Sequence, residues 1–284
     1  MTIGDRLFAP SKPKIVEKKG DKQAAPHDTE DSFVRWVQVI SSNEVRIFAY
    51  SPKSKDLFVK IKITGENILV KPAQVKERPV STDDKDPIVV VRKLDEKKPF
   101  KFSSIVQSFF GKPIEKPSNN YIYGLPFQPS KSYLVSQGCR GNTHKISTDY
   151  EYAVDFAMPE DSLVYSAREG EVVDAQDEYN NNGGGDEFLK LSNGLIIRHP
   201  DGTYGTYGHL KHHGIYVRVG DFVRKGQLIA SSGNTGKSNG PHLHFDLIYV
   251  DKARKNIGLP ITFETASGLV TNLKSGQTVT SKSN

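Results

Sequence analysis

Residues 238–247 read Ser-Asn-Gly-Pro-His-Leu-His-Phe-Asp-Leu. His242, His244 and Asp246 recur at every second position, with Leu243, Phe245 and Leu247 between them. A β-strand sends alternate side chains to opposite faces. As a strand, this stretch puts the two imidazoles and the carboxylate on one face and the apolar residues toward a core. Two imidazoles side by side can hold a metal ion. A solvated polar face is the plain alternative.

Two further segments bear on that choice. In Glu-Tyr-Ala-Val-Asp-Phe-Ala, residues 151–157, Asp155 lies between Ala153 and Ala157 on one face, with Val154 and Phe156 on the other. A carboxylate in such a strand is costly unless paired, and a cation is a natural partner. An ordinary buried salt bridge would satisfy it equally. In Tyr-Gly-Thr-Tyr-Gly-His-Leu, residues 204–210, His209 follows a Gly-rich hairpin whose glycines allow a second group to approach closely.

Together these segments resemble the lysostaphin/LytM-type zinc metallopeptidases of bacterial cell walls, over about residues 125–250. The resemblance rests on YAVDFAMPEDSLVYSAREGEVV, GTYGTYGHL and VGDFVRKGQLIASSGNTGKSNGPHLHFDL. It implies one Zn²⁺ per chain, with Asp155 and His244 as two of its ligands. His209 and His242 fall on the family's non-ligand catalytic histidines. The usual His-x-x-x-Asp is missing, because Glu151 stands four residues before Asp155. Glu151 could itself bind zinc through a carboxylate oxygen. His144, eleven residues before Asp155, could instead loop back. His144 is preferred, since His144, Asp155 and His244 make the neutral-plus-anionic set of hydrolytic zinc, with a position open for water.

The mechanism implied is attack by metal-activated water on peptide bonds of peptidoglycan stems or crosslinks. One of His209 and His242 would accept the water's proton, and the other would stabilise the oxyanion. Tyr204 and Tyr207 could add a phenol to a substrate groove, or simply pack in a hairpin. A second reading is a catalytically degenerate module that binds and activates another cell-wall hydrolase. A third is a β-domain adhesin with incidental histidines. The first two readings require action outside the cytoplasm, in the periplasm or cell wall, with a leader absent from this sequence.

Other residues carry weaker signals. Cys139, the single cysteine, excludes an intrachain disulfide and a Cys-based zinc knuckle. His199 reads as packed at a hairpin, His212 and His213 as solvated, and His27 as part of a tail. Gly-Asn-Thr-Gly-Lys-Ser lacks phosphate-loop spacing and reads as the turn before the His-x-His strand.

The elements that must position these groups are mainly β. Short runs broken by Gly, Pro and Asp alternate with period 2, as antiparallel strands do. Residues 1–32, rich in Lys, Pro and Asp, read as a tail. Residues 33–112 read as a small β-sandwich, where Val45, Ile47 and Ala49 alternate with Arg46, Phe48 and Tyr50. Residues 113–124 read as a linker, 125–265 as the LytM-type catalytic domain, and 266–284 as a C-terminal strand and tail. Asn193-Gly194 and Asp201-Gly202 carry hairpin signals. Tyr-Asn-Asn-Asn-Gly-Gly-Gly-Asp-Glu, residues 179–187, reads as a mobile loop.

A hydrophobic content of 36% is low for one compact core and fits polar tails. The net charge of +6 suits anionic surroundings such as a wall polymer. The basic residues are scattered, so nucleic acid is not the expected partner. No apolar run reaches the length needed to span a membrane.

Overall fold

The computed structural model describes residues 14–17, 35–40, 43–51, 54–71, 78–80, 86–118, 120–145 and 149–283. They separate into two compact units, one ending at Gly111 and the other beginning at Lys112. His27 lies outside the described residues. No helix among them is long and apolar enough to cross a membrane.

The first unit holds two four-stranded antiparallel sheets. One runs Lys14–Glu17, Lys101–Phe110, Leu57–Glu66, Arg78–Pro79, and the other Arg35–Ile40, Glu44–Tyr50, Val89–Lys93, Ile68–Lys71. The alternation seen in sequence sets the faces. Val45, Ile47 and Ala49 are buried while Arg46 is exposed, and Leu57, Val59 and Ile61 are buried while Lys60 is exposed. Lys14–Glu17 pairs with Lys101–Phe110, so the expected tail contains a strand.

The second unit is built on a nine-stranded antiparallel sheet. Its order is Phe222–Val223, Gly170–Gln176, Gly194–Arg198, Tyr204–Gly208, Leu243–Val250, Val154–Phe156, Ser132–Gln137, Thr278–Thr280. Asn256–Gly258 also pairs with Leu243–Val250. Under this sheet Phe245 meets Tyr207 and Phe263, and Phe156 meets Phe127 and Phe263. Each such side chain, fully buried, contributes roughly 1.5–3 kcal/mol.

Several connections differ from the sequence reading. Residues 113–124 do not stand apart as a linker. Pro113 bridges Val250, and Ile122–Gly124 pairs in parallel with Thr262–Thr265. Asp201-Gly202 does turn a hairpin. His199 N–H donates to the Thr203 carbonyl across Pro200, Asp201 and Gly202, with Gly202 at φ +82°. Asn193-Gly194 does not, because the residues before it form a 3-10 helix, Asp186–Leu191. The Gly- and Asn-rich stretch holds a short strand, Asn182–Gly183, paired in parallel with Gly236–Lys237.

Candidate metal centre

The strand Leu243–Val250 is buried at all eight positions. Leu243, Phe245 and Leu247 fill the core, and His244 and Asp246 take the other face. Its neighbours set the register: Asp155 lies opposite His244 on one side, Gly208 opposite His244 and Thr206 opposite Asp246 on the other. A β-carbon on Gly208 would stand 3.2 Å from His244 Cβ, so glycine there makes room for the imidazole.

His144 completes the cluster from the loop after Ser132–Gln137. One ligand atom each from His144, Asp155 and His244 lie within 4.8 Å of one another. His144 Nδ1 donates to the Gly138 carbonyl at 3.2 Å, which leaves the Nε2 lone pair free, 3.5 Å from Asp155 Oδ2. His244 Nδ1 is 2.8 Å from Asp155 Oδ1, and its Nε2 is 3.0 Å from Asp246 Oδ2. Each imidazole thus has one nitrogen committed to an outer acceptor and the other turned to Asp155. A carboxylate or carbonyl behind a histidine fixes its tautomer in just this way at metal sites. Two neutral nitrogens and one carboxylate oxygen form a donor set that suits zinc.

Charge follows geometry. Burial opposes ionisation of Asp155, yet the hydrogen bond and charge of His244 hold it well below the usual carboxylate range. Burial also opposes protonation of His244, but its bonds to Asp155 and Asp246 outweigh that and push it up to about 10. Any cation held by Nδ1 must displace that proton, so its binding strengthens as pH rises. Burial pushes His144 below its ordinary value.

Two more imidazoles stand beside the cluster. His209 and His242 have ring centroids 4.4 Å apart, and His209 lies 6.1 Å from His244. His209 Nδ1 donates to the Thr235 carbonyl at 2.7 Å, and His242 Nδ1 to the Gly240 carbonyl at 2.8 Å. In both rings Nδ1 is thus taken up by a backbone carbonyl, which leaves Nε2 as the nitrogen available to a substrate or water. Burial, reinforced by the other two imidazoles, pushes His209 down to about 3. Its backbone sits at φ +58°, a strained conformation of the kind that collects at functional sites.

With this geometry in view, the sequence comparisons are specific. Residues 149–256 match Peptidase family M23. This stretch is an M23 peptidase domain. Asp155, His209, His242 and His244 lie within it, and His144 just before it. Lysostaphin of Staphylococcus staphylolyticus is 32% identical over 162 residues, covering 57% of this chain and 28% of that protein. The peptidoglycan DD-endopeptidase ShyA of Vibrio cholerae is 39% identical over 94 residues, covering 33% of this chain and 19% of that one. The chain therefore spans less than a third of the length of either relative. The solved catalytic domain of lysostaphin from Staphylococcus simulans is 29% identical, covering 47% of this chain and 86% of that one, with a TM-score of 0.28.

Within the M23 domain, some expected residues stand elsewhere. Glu151 is not in the cluster. Its Oε1 is 2.8 Å from Arg140 Nη2 and 2.9 Å from Arg140 Nε. Tyr204 and Tyr207 are fully buried, and Tyr204 lines a cavity with Lys112, Arg198, His199 and Phe222. Tyr207 lies opposite Phe245 on the core face, its hydroxyl accepting from Ala167 N–H, and the Tyr204 hydroxyl accepts from Lys112 N–H. Cys139 is buried. His199 packs at its hairpin, with Nδ1 on the Glu169 carbonyl. His212 and His213 stack on one another at 3.8 Å.

Other residues gain roles the sequence reading did not give them. Asp246 backs His244, and its place at the end of His-x-His-x-Asp was the available signal. Asn193 and Thr235 hold the support of His209. Thr235 Oγ1 donates to the Leu210 carbonyl at 2.8 Å and accepts Asn193 N–H at 3.0 Å. The Asn193 amide spans to Tyr179 in both directions. No spacing rule marks these residues, since the contacts join three separate segments.

Proposed function

We propose that this chain is a zinc-dependent endopeptidase that hydrolyses peptide bonds in peptidoglycan stems or crosslinks, outside the cytoplasm. One observation carries the reading. His144, Asp155 and His244 converge, with one nitrogen of each imidazole already held by an outer acceptor, beside a second pair of imidazoles whose Nδ1 atoms lie on backbone carbonyls. A zinc ion bound there supplies Lewis-acid polarisation of water and of the scissile carbonyl. The M23 domain's own groups do the rest. Asp246 and the Gly138 carbonyl hold His244 and His144 in the tautomers that leave a lone pair for the metal. His209, neutral and tethered to Thr235, accepts a proton at Nε2. His242, the less buried of the two, can take the same part, and the proton removed from water is the one delivered to the leaving amine. Which of the pair first takes the water's proton is set by where the peptide lies.

Peptidoglycan as substrate is supported by the relatives named for cleaving it, and the net positive charge suits an anionic wall. No observation favours the non-catalytic alternative, in which the chain only activates another hydrolase. The test pairs wild type with His244→Ala for metal content and for muropeptides released from isolated walls. About one zinc per wild-type chain and new muropeptides, both absent in the variant, are expected. A wild type that holds no metal and leaves every crosslink intact overturns the reading.

A further inference from the structure

His144 reaches the centre on a loop, whereas Asp155 and His244 stand on adjacent strands, so something must hold that loop in register. The strand pairing supplies the starting point: Gln137, the last residue of Ser132–Gln137, lies directly opposite Asp155. Its side chain turns across the loop that follows. Gln137 Nε2 donates to Asp155 Oδ2 at 3.0 Å and to Thr143 Oγ1 at 2.5 Å. Gln137 Oε1 accepts Thr143 N–H at 3.0 Å. A backbone N–H can only donate, so this contact fixes which end of the amide faces Asp155.

The loop is shaped to admit the side chain. Gly141 N–H donates to the Gly138 carbonyl at 2.9 Å, closing a turn. A β-carbon on Gly141 would stand 2.5 Å from Gln137 Cγ and 2.9 Å from that same carbonyl. The Gly138 carbonyl in turn receives His144 Nδ1. One amide therefore touches the carboxylate of one ligand and the residue before another.

We propose that Gln137 is a positioning residue of the metal centre, clamping the His144 loop onto Asp155 so that a ligand distant in sequence is held as firmly as one on the sheet. This rests on the reading of His144, Asp155 and His244 as metal ligands. Outer partners of metal ligands typically contribute about 10–100-fold in metal affinity.

The test measures zinc affinity of the full chain by competition with a chromogenic chelator, for wild type, Gln137→Met and Ser136→Ala, with thermal midpoints alongside. Met keeps the length and removes both hydrogen-bonding ends. Ser136 donates only to the Asp155 backbone carbonyl and serves as the neighbouring control. The expected result is a roughly 10–100-fold weaker affinity for Gln137→Met, with Ser136→Ala near wild type and all three midpoints alike. An affinity unchanged in Gln137→Met, or an equal loss in Ser136→Ala, overturns the clamp. If Gln137→Met does not fold, Gly141→Ala replaces it, since its methyl displaces the Gln137 side chain while leaving the amide intact. Wild type that binds zinc but cleaves no wall peptide removes the proposed activity and leaves the clamp standing. Wild type that binds no zinc overturns both.

Discussion

His199 is 2% exposed at the foot of the Pro200–Gly202 hairpin. Its Nδ1 donates to the Glu169 carbonyl, and its Nε2 has no hydrogen-bond partner among the described residues. That nitrogen lies against the backbone of Gly205, where a β-carbon would come within 2.9 Å. Burial, above all, pushes the imidazole down to about 4. In the unfolded chain the same group titrates near about 6.5. The folded state thus favours the neutral ring. The stability this confers is complete above the unfolded value and is lost as pH falls from there toward 4. The whole gap corresponds to about 3 kcal/mol, and between pH 7.5 and 5 linkage gives a loss of about 2 kcal/mol. The assay is urea unfolding of chelator-treated wild type and His199→Gln at the two pH values, followed by tyrosine near-UV dichroism. Every tyrosine but Tyr50 lies at or beyond Tyr121, so the signal reports on the M23 unit. Other titrating groups are common to both proteins and cancel in the comparison. Wild type is expected to lose about 2 kcal/mol more than the variant on acidification. Equal losses would refute the claim that burial holds His199 neutral.

Three more predictions concern the centre and its support. Asp246→Asn keeps the size of the side chain behind His244 but removes its charge, and is expected to weaken zinc binding about 10–100-fold in chelator competition. Phe245→Ala leaves a cavity between Tyr207 and Phe263 and is expected to destabilise the unit by about 3–5 kcal/mol in urea unfolding. Thr235→Val leaves Asn193 N–H buried without its acceptor, a cost of about 1–3 kcal/mol. Because it loosens the carbonyl that fixes the tautomer of His209, ¹⁵N spectra of that ring should change from a single tautomer to a mixture.

Much of the centre was legible because it sits on strands with period 2. Asp155 and His244 each flank apolar neighbours that fix their face, and the register then sets them opposite one another. His144 and Glu151 were harder to separate. The choice depends on how a loop closes, and loop closure is decided by contacts such as Gly138 with His144 and Arg140 with Glu151 that no local pattern encodes. Tyr204 and Tyr207 show a different limit. Residues 204–208 are buried at every position, so proximity in sequence to His209 does not tell which of their side chains border a cavity, as Tyr204 does. Asn193-Gly194 carried a hairpin signal, but the residues before it satisfy themselves as a 3-10 helix, and the Asn193 side chain is spent on Tyr179. The connector at 113–124 looked like a linker by composition, yet Ile122–Gly124 finds a strand to pair with far along the chain, at Thr262–Thr265.

The pairing of Ser132–Gln137 with both Val154–Phe156 and Thr278–Thr280 has a consequence for biogenesis. Chains emerge from the ribosome N-terminus first. All of the proposed ligands are translated before Thr278, but the strand bearing Gln137 keeps one bare edge until Thr278–Thr280 arrives to cover it. Such an edge invites pairing with another chain. A nascent molecule therefore stays adhesive along that edge until Thr278–Thr280 is made, and this strand both seals the edge and braces the strand from which the His144 loop departs.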